Sequence, residues 1–88
     1  MAILFPNASR SYDATRRAVR FWGYDSAMEW SFFVTVEALE RMNPSLAPDD
    51  EAGMLGAFDS HRARICAAAA RLYARGRKGS YELGAADV

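Results

Sequence analysis

The sequence predicts an α+β fold, a small antiparallel sheet packed against one long helix. Two alternating segments flank a turn and mark a β-hairpin over residues 17–34. A run from Asp49 to Gly76 carries apolar residues at helical spacing between acidic start signals and a glycine stop. A short tail, residues 80–86, reads as a C-terminal strand.

Taken in order, residues 2–5 are a candidate first strand, and Asn7 to Thr15 is polar and turn-rich, with Asp13 suited to opening a turn. Arg17–Trp22 and Ala27–Val34 then alternate around Gly23-Tyr-Asp-Ser26. A four-residue loop there sets Trp22 opposite Ala27, Phe21 opposite Met28, Arg20 opposite Glu29 and Val19 opposite Trp30. One face of the hairpin carries Val19, Phe21, Met28, Trp30, Phe32 and Val34, and this is the core face. The other carries Arg20, Trp22, Glu29, Ser31 and Phe33, with Arg20 and Glu29 as an opposite-charge pair. Trp22 and Phe33 have no role on that outer face unless another segment covers them.

Thr35 is a natural N-cap for a short helix over residues 36–42. Asn43 to Pro48 is a loop. Asp49, Asp50 and Glu51 suit a helix N-terminus, where carboxylates meet orphan amides and the positive end of the dipole. Gly53 and Gly56 weaken the first turns of a long helix over residues 50–75. At about 100° per residue, Met54, Phe58, Ile65, Ala69 and Leu72 form its apolar stripe. Gly56, Ser60, Ala63, Ala67, Ala70 and Ala74 line the far side. In the last strand, Tyr81 and Leu83 face the core. The strand order and the side of the hairpin that the last strand joins stay open.

These 88 residues make one domain, 1–88. Hydrophobic residues are 51% and charged residues 25%, which excludes wholesale disorder. Eleven basic residues balance eleven acidic ones, so no global field draws the chain to nucleic acid or an anionic membrane. The apolar run at the N-terminus lacks a basic flank and a cleavage site, and no stretch approaches the roughly 20 apolar residues of a membrane span. Cys66 stands alone, so no internal disulfide forms. The expectation is a cytoplasmic protein with a reduced thiol.

Several segments carry a resemblance. Phe5-Pro-Asn7, Arg10-Ser-Tyr-Asp13, Val19-Arg-Phe-Trp-Gly23, Ser31-Phe-Phe-Val34, Ala57-Phe-Asp59, Tyr73-Ala-Arg-Gly76 and Gly79-Ser-Tyr-Glu-Leu83 span essentially the whole chain. Together they resemble small proteobacterial proteins of domain-of-unknown-function family 1488. The resemblance implies a bacterial, stand-alone α+β domain. It brings no activity, cofactor or catalytic residue to any position.

The residues themselves offer no reaction. His61 and Cys66 are the only residues of their types, and on one helix they point roughly 140° apart, which rules out a shared metal site or a Cys–His pair within that helix. No nucleophile–base–orienter set and no phosphate-binding glycine loop is present. No cofactor and no enzyme activity are expected. Two surfaces remain. Trp22, Phe33 and Arg20 form a candidate interaction surface for a protein partner or a second copy, because aromatic anchors dominate such contacts. Arg62, Arg64, Arg71, Arg75, Arg77 and Lys78 form a candidate anion patch, since no acidic residue lies between Asp59 and Glu82. Helix-dipole complementarity accounts for the same arginines without any ligand, and domains that bind nucleic acid are usually strongly basic overall. The leading expectation is therefore a non-catalytic protein-interaction module, with polyanion binding as the alternative.

Overall fold

A computed structural model of the chain describes residues 3–47, 50–76 and 80–88. Ala2 of the expected first strand, the helix-start acid Asp49, and Arg77 and Lys78 of the basic segment lie outside the described residues. The elements run β1 (Arg10–Asp13), β2 (Ala18–Asp25), β3 (Met28–Thr35), α1 (Val36–Met42), α2 (Glu51–Ser60), α3 (Arg62–Ala74), β4 (Ser80–Leu83) and a 3₁₀ turn, Ala85–Asp87. The α+β class stands, and the sheet order is β1-β2-β3-β4.

The sheet is mixed rather than antiparallel throughout. β1, β2 and β3 pair antiparallel, while β4 runs parallel to β3. The reason is topological: helices α1 to α3 form the crossover between β3 and β4, and such a crossover returns the chain in the same direction. The expected strand at residues 2–5 reduces to one bridge, Leu4 with Tyr24, closed by two backbone hydrogen bonds of 2.9 and 2.8 Å. In its place the segment expected to be turn-rich supplies β1. Its Tyr12 packs on the core and its Arg10 reaches across to α2.

The hairpin loop is Ser26–Ala27, two residues instead of four, so Arg20 opposes Phe33 and Glu29 opposes Tyr24. The expected Arg20–Glu29 pair does not form. Gly23, Tyr24 and Asp25 are drawn into the strand, where Tyr24 bonds Leu4 on one side and donates its hydroxyl to Glu29 at 2.6 Å. The turn is made by Ser26 at a left-handed φ of 56°. At the turn the first strand gains three residues and the second loses Ala27; the register shifts by an even number, so the two faces keep their membership. Val19, Phe21, Phe32 and Val34 are fully buried, Trp30 is half-buried, and Met28 sits exposed at the tip beyond the reach of the helices.

Thr35 caps α1 as expected, its hydroxyl accepting from the Ala38 N–H at 3.1 Å. Asp50 does the same for α2 through the Gly53 N–H at 3.0 Å, so this helix starts at Glu51 despite its glycines. The expected single helix breaks at His61, which leaves helical geometry at φ −111°, ψ 19°. The His61 N–H is shared between the Ala57 and Phe58 carbonyls. The break lies where the chain passes from packing on β1 and β2 to packing on β4, so two shorter rods follow the sheet twist better than one straight rod. Met54, Phe58, Ile65 and Ala69 are buried, and Tyr73 takes the deeper place beside a half-buried Leu72.

A row of aromatic rings runs through the core. Phe21, Phe32 and Tyr81 lie side by side across β2, β3 and β4, with centroids 5.6 and 5.0 Å apart. Phe58 of α2 covers Phe21 at 5.1 Å, and Phe5 of the N-terminal arm meets both Phe21 and Phe32. Gly23 makes room for that arm: a Cβ there would lie 2.7 Å from Phe5 and 3.0 Å from Ile3 and Phe32. The far end is pinned by Tyr73, whose hydroxyl donates to Asp25 at 2.5 Å, and by Tyr81, which donates to the Gly76 carbonyl at 2.8 Å.

Candidate functional site

The buried residues of all three helices join one cluster with Val19, Phe21, Phe32, Val34, Tyr81 and Leu83. The helices therefore occupy one side of the sheet and leave the opposite side without helical cover. Pairing sets the outer side in rows. Ser11, Arg20, Phe33 and Glu82 form one row across the four strands. Trp22 and Ser31 are neighbours in the next row, and Leu4, Tyr24 and Glu29 follow.

This face brings together two of the three residues expected there and corrects the third. Trp22 is half-buried and borders the short Ser31. Arg20 is exposed, donates to the Ser31 hydroxyl at 2.9 Å and stands 5.2 Å from the Trp22 ring. Phe33 is no exposed anchor: only 5% of it meets solvent, because Arg16 lies 3.8 Å over its ring. The exposed Leu4 was not expected at this site, and neither was the contact of Arg16 with Phe33. The alternation of Ile3, Leu4 and Phe5 would have placed Leu4 outside once Ile3 and Phe5 were placed inside, whereas Arg16 reaches Phe33 only through the turn joining β1 to β2. That turn holds Arg17 at φ 50° and is fixed by Asp13, which accepts from the Arg16 N–H at 3.1 Å.

Electrostatics on this face are local. The hydrogen bond to Glu29 is the main cause that holds the Tyr24 phenol above its usual pKa, with desolvation adding to it. On the opposite side, Arg10 clasps Asp59 through two nitrogens at 2.9 and 2.8 Å. That hydrogen-bonded pairing pulls the Asp59 carboxyl below its ordinary range and raises Arg10.

The basic segment is divided. Arg62 is half-buried, donates to the Asn7 carbonyl and stands 5.4 Å from the Phe58 ring, so it braces the N-terminal arm. Arg64, Arg71 and Arg75 are exposed along α3. Arg71 and Arg75 border a groove of about 270 Å³ against Asp87 and Val88. Cys66 is half-buried against the core, and burial pushes its thiol pKa up. Among the described residues no three His, Cys, Asp or Glu side chains group as metal ligands, and no helix is long and apolar enough to cross a membrane.

Comparison with known proteins places this geometry. No curated protein matches the chain. A crystal structure of a protein of unknown function from the DUF1488 family of Shewanella loihica PV-4 superposes with a TM-score of 0.79, covering 93% of this chain and 91% of that one at 18% identity. At that identity the likeness speaks for the fold alone. The family model for the protein of unknown function DUF1488 matches residues 3–83, and with nearly the whole described fold inside that match, the chain belongs to the DUF1488 family.

Proposed function

We propose that this protein is a small, non-catalytic docking module that binds a protein partner on the outer face of its sheet. The observation that carries the reading is the half-buried Trp22 beside Ser31, with Leu4, of which 65% is exposed, one row further along, on a face that no helix among the described residues covers. Tryptophan and arginine are among the residue types enriched at the energetic centres of protein interfaces. Among the described residues, the competing reading, polyanion binding along α3, rests on Arg64, Arg71 and Arg75, since Arg62 is committed to Asn7.

A photo-reactive residue at Ser31, introduced in the native host, tests the docking reading against the same residue at Ala74 on the opposite layer. The expected result is one discrete protein adduct from position 31, lost when Trp22→Ala is added, and none from position 74. Equal labelling from both positions, or an adduct indifferent to Trp22→Ala, overturns it.

A further inference from the structure

The outer face holds two guanidinium groups that make no ion pair among the described residues. Arg16 lies 3.8 Å from the Phe33 centroid and Arg20 lies 5.8 Å from the same centroid. The two guanidinium carbons are therefore no more than about 10 Å apart, one Debye length at 0.1 M salt, and they repel each other. No carboxylate among the described residues forms an ion pair with either. The nearby acids are otherwise engaged or set aside. Asp13 accepts a backbone amide, Glu29 accepts from Tyr24, and Glu82 lies beyond Phe33 from Arg20. Arg20 has one hydrogen bond, to Ser31, and the Arg16 side chain rests on a ring. Guanidinium groups held this way keep planar N–H donors suited to a carboxylate.

We propose that the occupant of this face is an acidic segment of a partner protein, with a carboxylate received by Arg16 and Arg20 and an adjacent apolar side chain against Trp22. The proposal rests on the docking reading above and adds the chemistry of the partner. A single-stranded nucleic acid fits the face less well. Such ligands need two or three rings to stack on. Here Phe33 is already roofed by Arg16, and the Tyr24 hydroxyl is tied to Glu29.

Isotope-labelled protein titrated with acetyl-Glu-Leu-Glu-Phe-Glu-amide, its glutamine counterpart and a ten-residue oligothymidylate separates the cases. The acidic peptide should shift the amides of Arg16, Arg20 and Trp22 and the Trp22 indole. It should bind about tenfold more tightly than the glutamine peptide, as expected for one charge-assisted contact. Arg16→Met keeps the cover over Phe33, and together with Arg20→Gln it should erase the difference between the two peptides. Trp22→Ala should weaken both. Equal binding of the two peptides, shifts confined to the Arg64–Arg75 line, tighter binding of the oligothymidylate on this face, or no binding at millimolar peptide each overturns the proposal. An adduct at position 31 alongside any of these results leaves the docking reading standing and removes only the acidic partner.

Discussion

At the scale of single residues, three positions show how local physics sets the design. Gly23 is a strand glycine whose missing Cβ admits Phe5, Ile3 and the edge of Phe32. Gly23→Ala should cost about 1–3 kcal/mol by overpacking, read as a lower urea midpoint with unchanged slope; a neutral result would mean the arm does not pack there. Ser26 turns the hairpin in the left-handed region, which glycine enters without a Cβ clash. Ser26→Gly should therefore raise stability by about 0.5–1 kcal/mol, checked by thermal denaturation. Asp59 has its carboxyl held low by the Arg10 hydrogen bonds. A carboxyl depressed in the folded state adds stability above its unfolded pKa and loses it as the pH falls through the folded value. Stability of the parent chain should therefore decline below about pH 4 more steeply than that of Asp59→Asn. Identical acid limbs in urea melts of the two would refute the role of the clasp.

At the scale of elements, caps and faces were legible and registers were not. Thr35 marked α1 correctly because a hydroxyl before an apolar helical run has one efficient use. Thr35→Ala should cost about 1 kcal/mol and lower the melting temperature, with sheet signatures intact. The inner and outer memberships of β2 and β3 were also legible, since side chains alternate and an even shift preserves sides. The loop itself misled: Gly23 and Asp25 are turn residues by composition, yet Leu4 and Glu29 hold the intervening Tyr24 in the strand. β1 was hidden because Arg10, Ser11 and Asp13 are polar and only Tyr12 reads as a strand residue. The break at His61 left no mark in composition, having neither proline nor glycine at the joint. Of the outer face, Trp22 and Arg20 were visible from alternation alone. The cover over Phe33 depended on a turn whose geometry a linear pattern does not encode.

At the scale of the molecule, the direction of β4 follows from three helices lying between it and β3. Val19 and Val34 meet through a tight hairpin, whereas Val34 and Leu83 meet only after the whole helical segment has been traversed. Short loops close in nanoseconds and hairpins in microseconds, while remote pairings carry a larger entropic toll before any contact rewards them. The topology thus works as a clock, with the β2–β3 ribbon early and β4 last to dock. In stopped-flow experiments Val19→Ala should slow refolding, while Leu83→Ala should leave refolding nearly unchanged and hasten unfolding. If Leu83→Ala slowed refolding instead, the parallel pairing would belong to the nucleus. Until β4 arrives, one flank of Phe32 is bare, so a chain caught early presents a greasy, unzipped margin to its neighbours. The interval before that closing step is when this small protein is most exposed to aggregation.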